Sequence, residues 1–158
     1  MQGQSAPSAT FSLTDSNIGG ELLYSRYTLG GMWNAGIRAT DYLLSTTSDY
    51  DLEALQLTAT ASYMQRVAST RSRRLNLNLG GGMFVGYEFL DPFGSLPEYI
   101  ETDLDDGQMV FGVIARSEIE FFITRQLAVI GAASIPLSFR SNAGWFHWEA
   151  GIGIRFNI

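Results

Sequence analysis

The chain has 158 residues and a formal charge of −6, with ten basic residues against sixteen acids, and it contains no cysteine. That length predicts a single domain, residues 1–158, with 1–7 as an N-terminal extension. The missing cysteines exclude a disulfide framework, thiolate metal sites and thiol nucleophiles. The acidic balance lacks the basic footprint of a nucleic-acid binder, and no apolar run approaches the roughly 18 residues of a membrane helix.

In chain order, alternation with a period of two recurs from one end to the other, which predicts strands with one apolar face. Residues 8–14 set Phe11 and Leu13 against Thr10 and Ser12. Residues 19–29 set Leu23, Tyr27 and Leu29 against Tyr24, Arg26 and Thr28. Residues 32–43 set Trp33, Ala35 and Ile37 against Asn34, Gly36, Arg38 and Thr40. Over 52–67, Leu55, Leu57, Ala59, Ala61 and Tyr63 oppose Gln56, Thr58, Thr60, Ser62 and Arg66. Over 74–89, Leu75, Leu77, Leu79, Met83, Val85, Tyr87 and Phe89 oppose Asn76, Asn78, Gly80, Gly82, Gly86 and Glu88. Residues 108–123 place Met109, Phe111, Val113, Ala115, Ile119, Phe121 and Ile123 opposite Gly112, Arg116, Glu118 and Glu120. Residues 126–139 place Leu127, Val129, Ile135, Leu137 and Phe139 opposite Ala128, Ala132, Ser134, Pro136 and Ser138.

The closing stretch, 145–158, alternates throughout: Phe146, Trp148, Ala150, Ile152, Ile154, Phe156 and Ile158 on one face, and the polar, small or amphipathic Trp145, His147, Glu149, Gly151, Gly153, Arg155 and Asn157 on the other. Fourteen residues exceed the usual strand of about five or six. A long C-terminal strand of this kind suits an outer-membrane barrel, whose outer face meets lipid. Gly153, Phe156 and Ile158 also resemble the C-terminal signal by which barrel-assembly machinery recognises bacterial barrels, although that signal usually ends on an aromatic residue.

Eight strands predict connections at 14–18, 44–51, 90–107 and 140–144 on one side, and at 30–31, 68–73 and 124–125 on the other. The longest connection falls on the first side and two very short turns on the second, the asymmetry of bacterial barrels with short periplasmic turns. Alternation alone is also compatible with a soluble lipocalin-like barrel, in which the apolar face turns inward. Three observations favour lipid outside: strands of 12–16 residues, a glycine-rich small-residue face suited to a crowded lumen, and ionic residues of both signs on that face. The expected fold is an all-β, eight-stranded, antiparallel up-and-down transmembrane β-barrel in the bacterial outer membrane. The opening MQGQSAPS is expected to follow signal-peptide removal.

Four segments carry a family resemblance: LNLNLGGGMFVGYEF at 75–89, SEIEFFITRQLAVI at 117–130, the small-residue strand that follows, and AGIGIRFNI at 150–158. Residues 74–158 resemble the conjugative transposon protein TraO family of Bacteroidetes, and ELLYSRYTLGG at 21–31 matches in general pattern. The resemblance implies an outer-membrane barrel encoded with DNA-transfer genes. It implies no catalytic residues.

The predicted lumen network comprises Arg26, Arg38, Arg66, Glu88, Arg116, Glu118, Glu120, His147, Glu149 and Arg155. An eight-stranded lumen is just wide enough for side chains to fill, so these groups are expected to form a salt-bridged plug rather than a gated pore. Removing Arg155 should orphan Glu149 or Glu118. Two sharper readings stand beside this one. His147 and Glu149, at i and i+2, form a general-base pattern for a lipid-modifying enzyme with Ser138 or Ser141 as nucleophile. The acids of loop 90–107 invite calcium, although DLDDG lacks EF-hand spacing and a solvated acidic loop is the simpler account. Trp33, Tyr63, Tyr87, Phe89, Phe146 and Phe156 suit aromatic belts at the membrane surfaces.

The expected function is therefore non-enzymatic, a structural or anchoring component of a conjugative DNA-transfer apparatus, with no cofactor, catalytic residue or metal assigned. Its expected partners are outer-membrane lipid, the barrel-assembly machinery and other transfer-apparatus proteins, with no direct nucleic acid. A generic small barrel for adhesion or envelope integrity is the alternative.

Overall fold

A computed structural model describes residues 5–13, 17–45, 51–72, 74–90, 107–139, 141, 146 and 148–157. Eight strands follow in chain order: β1 (Ser5–Leu13), β2 (Asn17–Tyr27), β3 (Gly31–Ser45), β4 (Asp51–Ser69), β5 (Leu75–Leu90), β6 (Gly107–Phe122), β7 (Leu127–Ser138) and β8 (Glu149–Phe156). Each pairs antiparallel with its sequence neighbours, and β8 closes on β1 from Ser8↔Arg155 to Leu13↔Ala150. Closure removes every open edge, a requirement for strands surrounded by lipid.

Burial is inverted relative to a soluble barrel. Leu22, Trp33, Ile37, Met83, Phe111, Ile119, Ile152 and Phe156 point outward and are exposed, whereas Asn34, Arg38, Glu88, Arg116, Glu118, Glu120, Glu149 and Arg155 are buried inside. In water this arrangement would expose a continuous apolar wall while desolvating at least seven charges. In hydrocarbon the wall is matched by its solvent, and the charges sit where partners exist. Phe84, Val110, Ile114 and Ile130 add an apolar filling among the interior polar groups.

The inward glycines let this interior close up. Gly112 pairs with Phe84 across β5–β6, and a Cβ at 112 would stand 2.7 Å from the Phe84 ring. The aromatic ring covers the glycine, a known device for a strongly curved sheet.

Several details differ from the sequence expectation. The first is the phase of β2, which is reversed: Leu22 and Tyr24 face out, and Glu21, Leu23 and Ser25 are buried inside. The expected phase would place the Glu21 carboxylate in hydrocarbon, where an unpaired charge costs several kcal/mol. Turning Leu23 inward avoids that cost. The second is a bulge between Arg66 and Ala68, which lets β4 run to Ser69 and leaves Val67 without a partner in the register. The third is β8, which pairs continuously only from Glu149, with an isolated bridge between Leu137 and Phe146 before it. At the other terminus β1 begins at Ser5, inside the expected extension.

Two turns show why the chain reverses where it does. Thr28 donates to the Gly31 carbonyl from its backbone N–H (2.8 Å) and its hydroxyl (3.1 Å). The Thr124 hydroxyl accepts from the backbone N–H groups of Gln126 and Leu127, at 3.2 and 3.0 Å, a side-chain mimic of a backbone turn.

Candidate functional site

The chemistry of this barrel is concentrated in its lumen, where the inward positions of β2, β3, β6 and β8 supply three arginines and four glutamates. Arg38 donates through Nη1 to Glu149 (2.8 Å) and through Nη2 to Glu21 (3.3 Å). Arg116 Nη1 reaches the other oxygen of Glu21 at 2.5 Å. Arg116 Nη2 stands 3.8 Å from Glu118, an electrostatic contact too long for a hydrogen bond. Arg155 forks onto Glu118 through Nη1 and Nη2 at 2.6 and 3.1 Å, and its Nη1 also reaches Glu120 at 2.9 Å.

Neutral donors finish the lattice. Ser134 donates to Glu149 at 3.1 Å, and Tyr27 and Asn76 donate to Glu120 at 2.6 and 3.2 Å. The result is one chain of contacts from Ser134 through Glu149, Arg38, Glu21, Arg116, Glu118 and Arg155 to Glu120. It spans the lumen, since β2 and β6 lie four strands apart in a ring of eight. The space among Thr10, Glu21, Arg38, Arg116 and Glu149 is about 10 Å³, at most one water. A second, smaller cluster lies toward the loop end. There Glu88 accepts from Gln56 (3.4 Å), Gln108 (3.2 Å) and Ser141 (2.7 Å).

Of the ten residues expected in the lumen, Arg38, Glu88, Arg116, Glu118, Glu120, Glu149 and Arg155 are buried there. Arg26 is not: it pairs with Trp33 on the outer face and is exposed, a consequence of the β2 phase. Arg66 has the inward parity, opposite Asn78, but lies exposed at the turn end beside the bulge. His147 lies outside the described residues. Arg155 is held by Glu118 and Glu120, not by Glu149, whose arginine is Arg38.

Glu21 is the member that alternation alone missed. A carboxylate at mid-strand, directly before the apolar pair Leu22–Leu23, was the signal available for it.

Of the residues of the hydrolytic reading, His147, its base, lies outside the described residues. Glu149 is engaged by Arg38 and Ser134, and the Ser141 hydroxyl is turned to Glu88. Ser138 is buried at the loop end of β7. The acids of 91–106 lie outside the described residues, as does Ile158; Gly153 faces inward against Thr10 and Phe156 faces outward. The aromatic residues expected in belts are exposed on the outer wall. Trp33 and Tyr63 pack at 4.9 Å toward the turn end, and Tyr87 and Phe89 at 5.0 Å toward the loop end.

Known structures share this architecture. Neisserial surface protein A (NspA) is similar over 100% of this chain and 98% of its own, with a TM-score of 0.65 at 13% identity. Ail, the attachment invasion locus protein of Yersinia pestis, is similar over 99% of this chain and 100% of its own, with a TM-score of 0.55 at 15% identity. At such identities the likeness is one of fold. No curated protein matches the sequence. The sequence pattern of the family described as conjugative transposon protein TraO matches residues 8–158, so the resemblance carried by residues 74–158 extends to nearly the whole chain, and the protein belongs to that family.

Proposed function

We propose that the protein is a non-enzymatic outer-membrane component of a conjugative DNA-transfer apparatus, and that it anchors or organises other transfer proteins there. The observation that carries this reading is the family match over residues 8–158 on a barrel with an apolar outside and a strapped, filled inside. A lumen tied across by ion pairs does not conduct a chain or a strand of DNA. What remains for partners is the two ends. The mature chain follows signal removal, is a single domain, and is inserted by the barrel-assembly machinery through Gly153, Phe156 and Ile158.

Deleting the gene should lower transfer frequency, and a plasmid copy should restore it. A tagged copy, extracted from envelopes in mild detergent, should bring down products of the transfer genes. Unchanged transfer frequency, with the protein recovered alone from the outer-membrane fraction, would favour the adhesion or envelope role instead. Recovery in the soluble fraction would overturn the membrane assignment itself.

A further inference from the structure

Arginine is distributed unevenly along the barrel axis. Of the ten arginines, Arg38, Arg116 and Arg155 are spent on interior carboxylates. Six others, at 26, 66, 71, 73, 74 and 125, fall in or beside the three short turns, and residues 28–30, 70–74 and 123–126 contain no acid. Arg66, Arg71, Arg74 and Arg125 are exposed. Among the described residues, every ion pair lies inside the barrel and none involves these four.

Three of these arginines share a cleft. Arg66, Arg74 and Arg125 line a depression of about 530 Å³ between the β4–β5 and β6–β7 turns, together with Ser72, Phe122 and Ile123. Its walls are fixed by backbone: Phe122 N–H donates to the Arg74 carbonyl at 2.8 Å, and Ile123 N–H to that of Leu127 at 3.0 Å. Its base is Asn76, which is tied to Glu120 of the interior lattice. The cleft lies at the turn-end mouth of the barrel, and of its lining only Ile123 belongs to the outward row, where Leu75 and Phe121 are also exposed at the paired ends of β5 and β6.

We propose that this cleft binds the phosphate headgroup of an anionic phospholipid in the leaflet that meets the short turns, with the acyl chains lying along Leu75 and Phe121. The inference goes beyond the conjugative role and does not depend on it. Arginine's planar fork suits phosphate oxygens, and anionic leaflets attract such residues at their surface. Ile123 in the cleft lining, beside the exposed Leu75 and Phe121, favours a tailed ligand over a soluble one. Arg26, outward beside Trp33, extends the same basic band around the barrel.

The test uses the full chain folded in neutral detergent and titrated with phosphatidylglycerol or phosphatidylcholine in mixed micelles. The readout is the temperature at which the folded form is lost on a gel. Phosphatidylglycerol should raise that midpoint by several degrees, as ligand linkage requires, and phosphatidylcholine should not. The Arg66→Gln, Arg74→Gln, Arg125→Gln triple variant should fold, because it breaks no ion pair among the described residues, and should lose the gain; the matching lysine triple should keep most of it. An equal response to both lipids, or a glutamine triple that keeps the preference, would overturn the proposal. So would an equal gain from inorganic phosphate, which marks a soluble-anion site, or a gain from polyglutamate alone, which marks an acidic protein partner.

Discussion

Replacing Arg155 by methionine isolates the energetics of the lumen. The guanidinium is fully buried and makes three charged hydrogen bonds, two to Glu118 and one to Glu120. Without it, Glu118 keeps only the 3.8 Å contact with Arg116. Glu120 keeps two donors, Tyr27 and Asn76. Orphaning one buried charge costs about 3–5 kcal/mol. Because Glu120 remains solvated by its neighbours, the lower part of that range applies, about 3–4 kcal/mol. At roughly 2–4 °C per kcal/mol for a chain of this size, the melting midpoint falls by about 6–16 °C. Urea unfolding in phospholipid vesicles, followed by tryptophan fluorescence, measures the loss directly. Adding Glu118→Gln and Glu120→Gln to the same chain removes the stranded charges and should bring stability back to within about 1 kcal/mol of the parent, since a buried ion pair is often near neutral against uncharged replacements. The reasoning fails if Arg155→Met unfolds with the parent, or if the two glutamines restore nothing.

Three further tests probe separate parts of the fold. Gly112→Val forces a branched side chain against the Leu137 carbonyl and the Phe84 ring and should cost at least about 1–3 kcal/mol; because the backbone contact stays, Phe84→Ala in the same chain should not restore the parental refolding yield. Ile37→Arg, near the middle of β3 on the outer wall, should destabilise the barrel by about 2–4 kcal/mol in bilayers, whereas Gln65→Arg at the turn end should cost about 0–1 kcal/mol; equal costs would place the membrane elsewhere. Tyr27→Phe deletes one donor to an ionised carboxylate and should cost about 1.5–3 kcal/mol in the same urea assay.

Strand number, order and the turn sides were legible because lipid imposes a stricter pattern than water does. In β5 and β6 every outward position must be apolar or small, so the phase can be set in only one way, and Glu88, Glu118 and Glu120 fall inside automatically. The pattern weakens in β2, where Leu22, Leu23, Tyr24 and Tyr27 put apolar groups on both faces. There the charge, not the apolar count, decides the phase, because Glu21 has Arg38 and Arg116 as partners only inside. The pairings themselves were not legible. Which carboxylate meets Arg155 depends on the stagger between β6 and β8, two strands apart, and no local pattern encodes that stagger. Arg66 shows the complementary limit: its parity is inward, yet a position at the barrel mouth is solvated whichever way it points.

The interior lattice has two readings that stability measurements do not separate. It could serve only to fill and brace the lumen, or its charges could take part in transfer. The Arg155→Met, Glu118→Gln, Glu120→Gln variant distinguishes them, because it keeps side-chain volume while removing three charges from the middle of the lumen. If the lattice is a brace, cells carrying this variant at matched levels of folded barrel should transfer DNA at the parental frequency. The physical ground is the geometry: the bonds link β2 to β6 across the full width, and the space among Thr10, Glu21, Arg38, Arg116 and Glu149 is about 10 Å³. Any passage would have to break several charged hydrogen bonds in sequence, each worth about 1.5–3 kcal/mol. A drop in transfer frequency at matched barrel levels would place function in the interior and would remove the reason for assigning it to the ends.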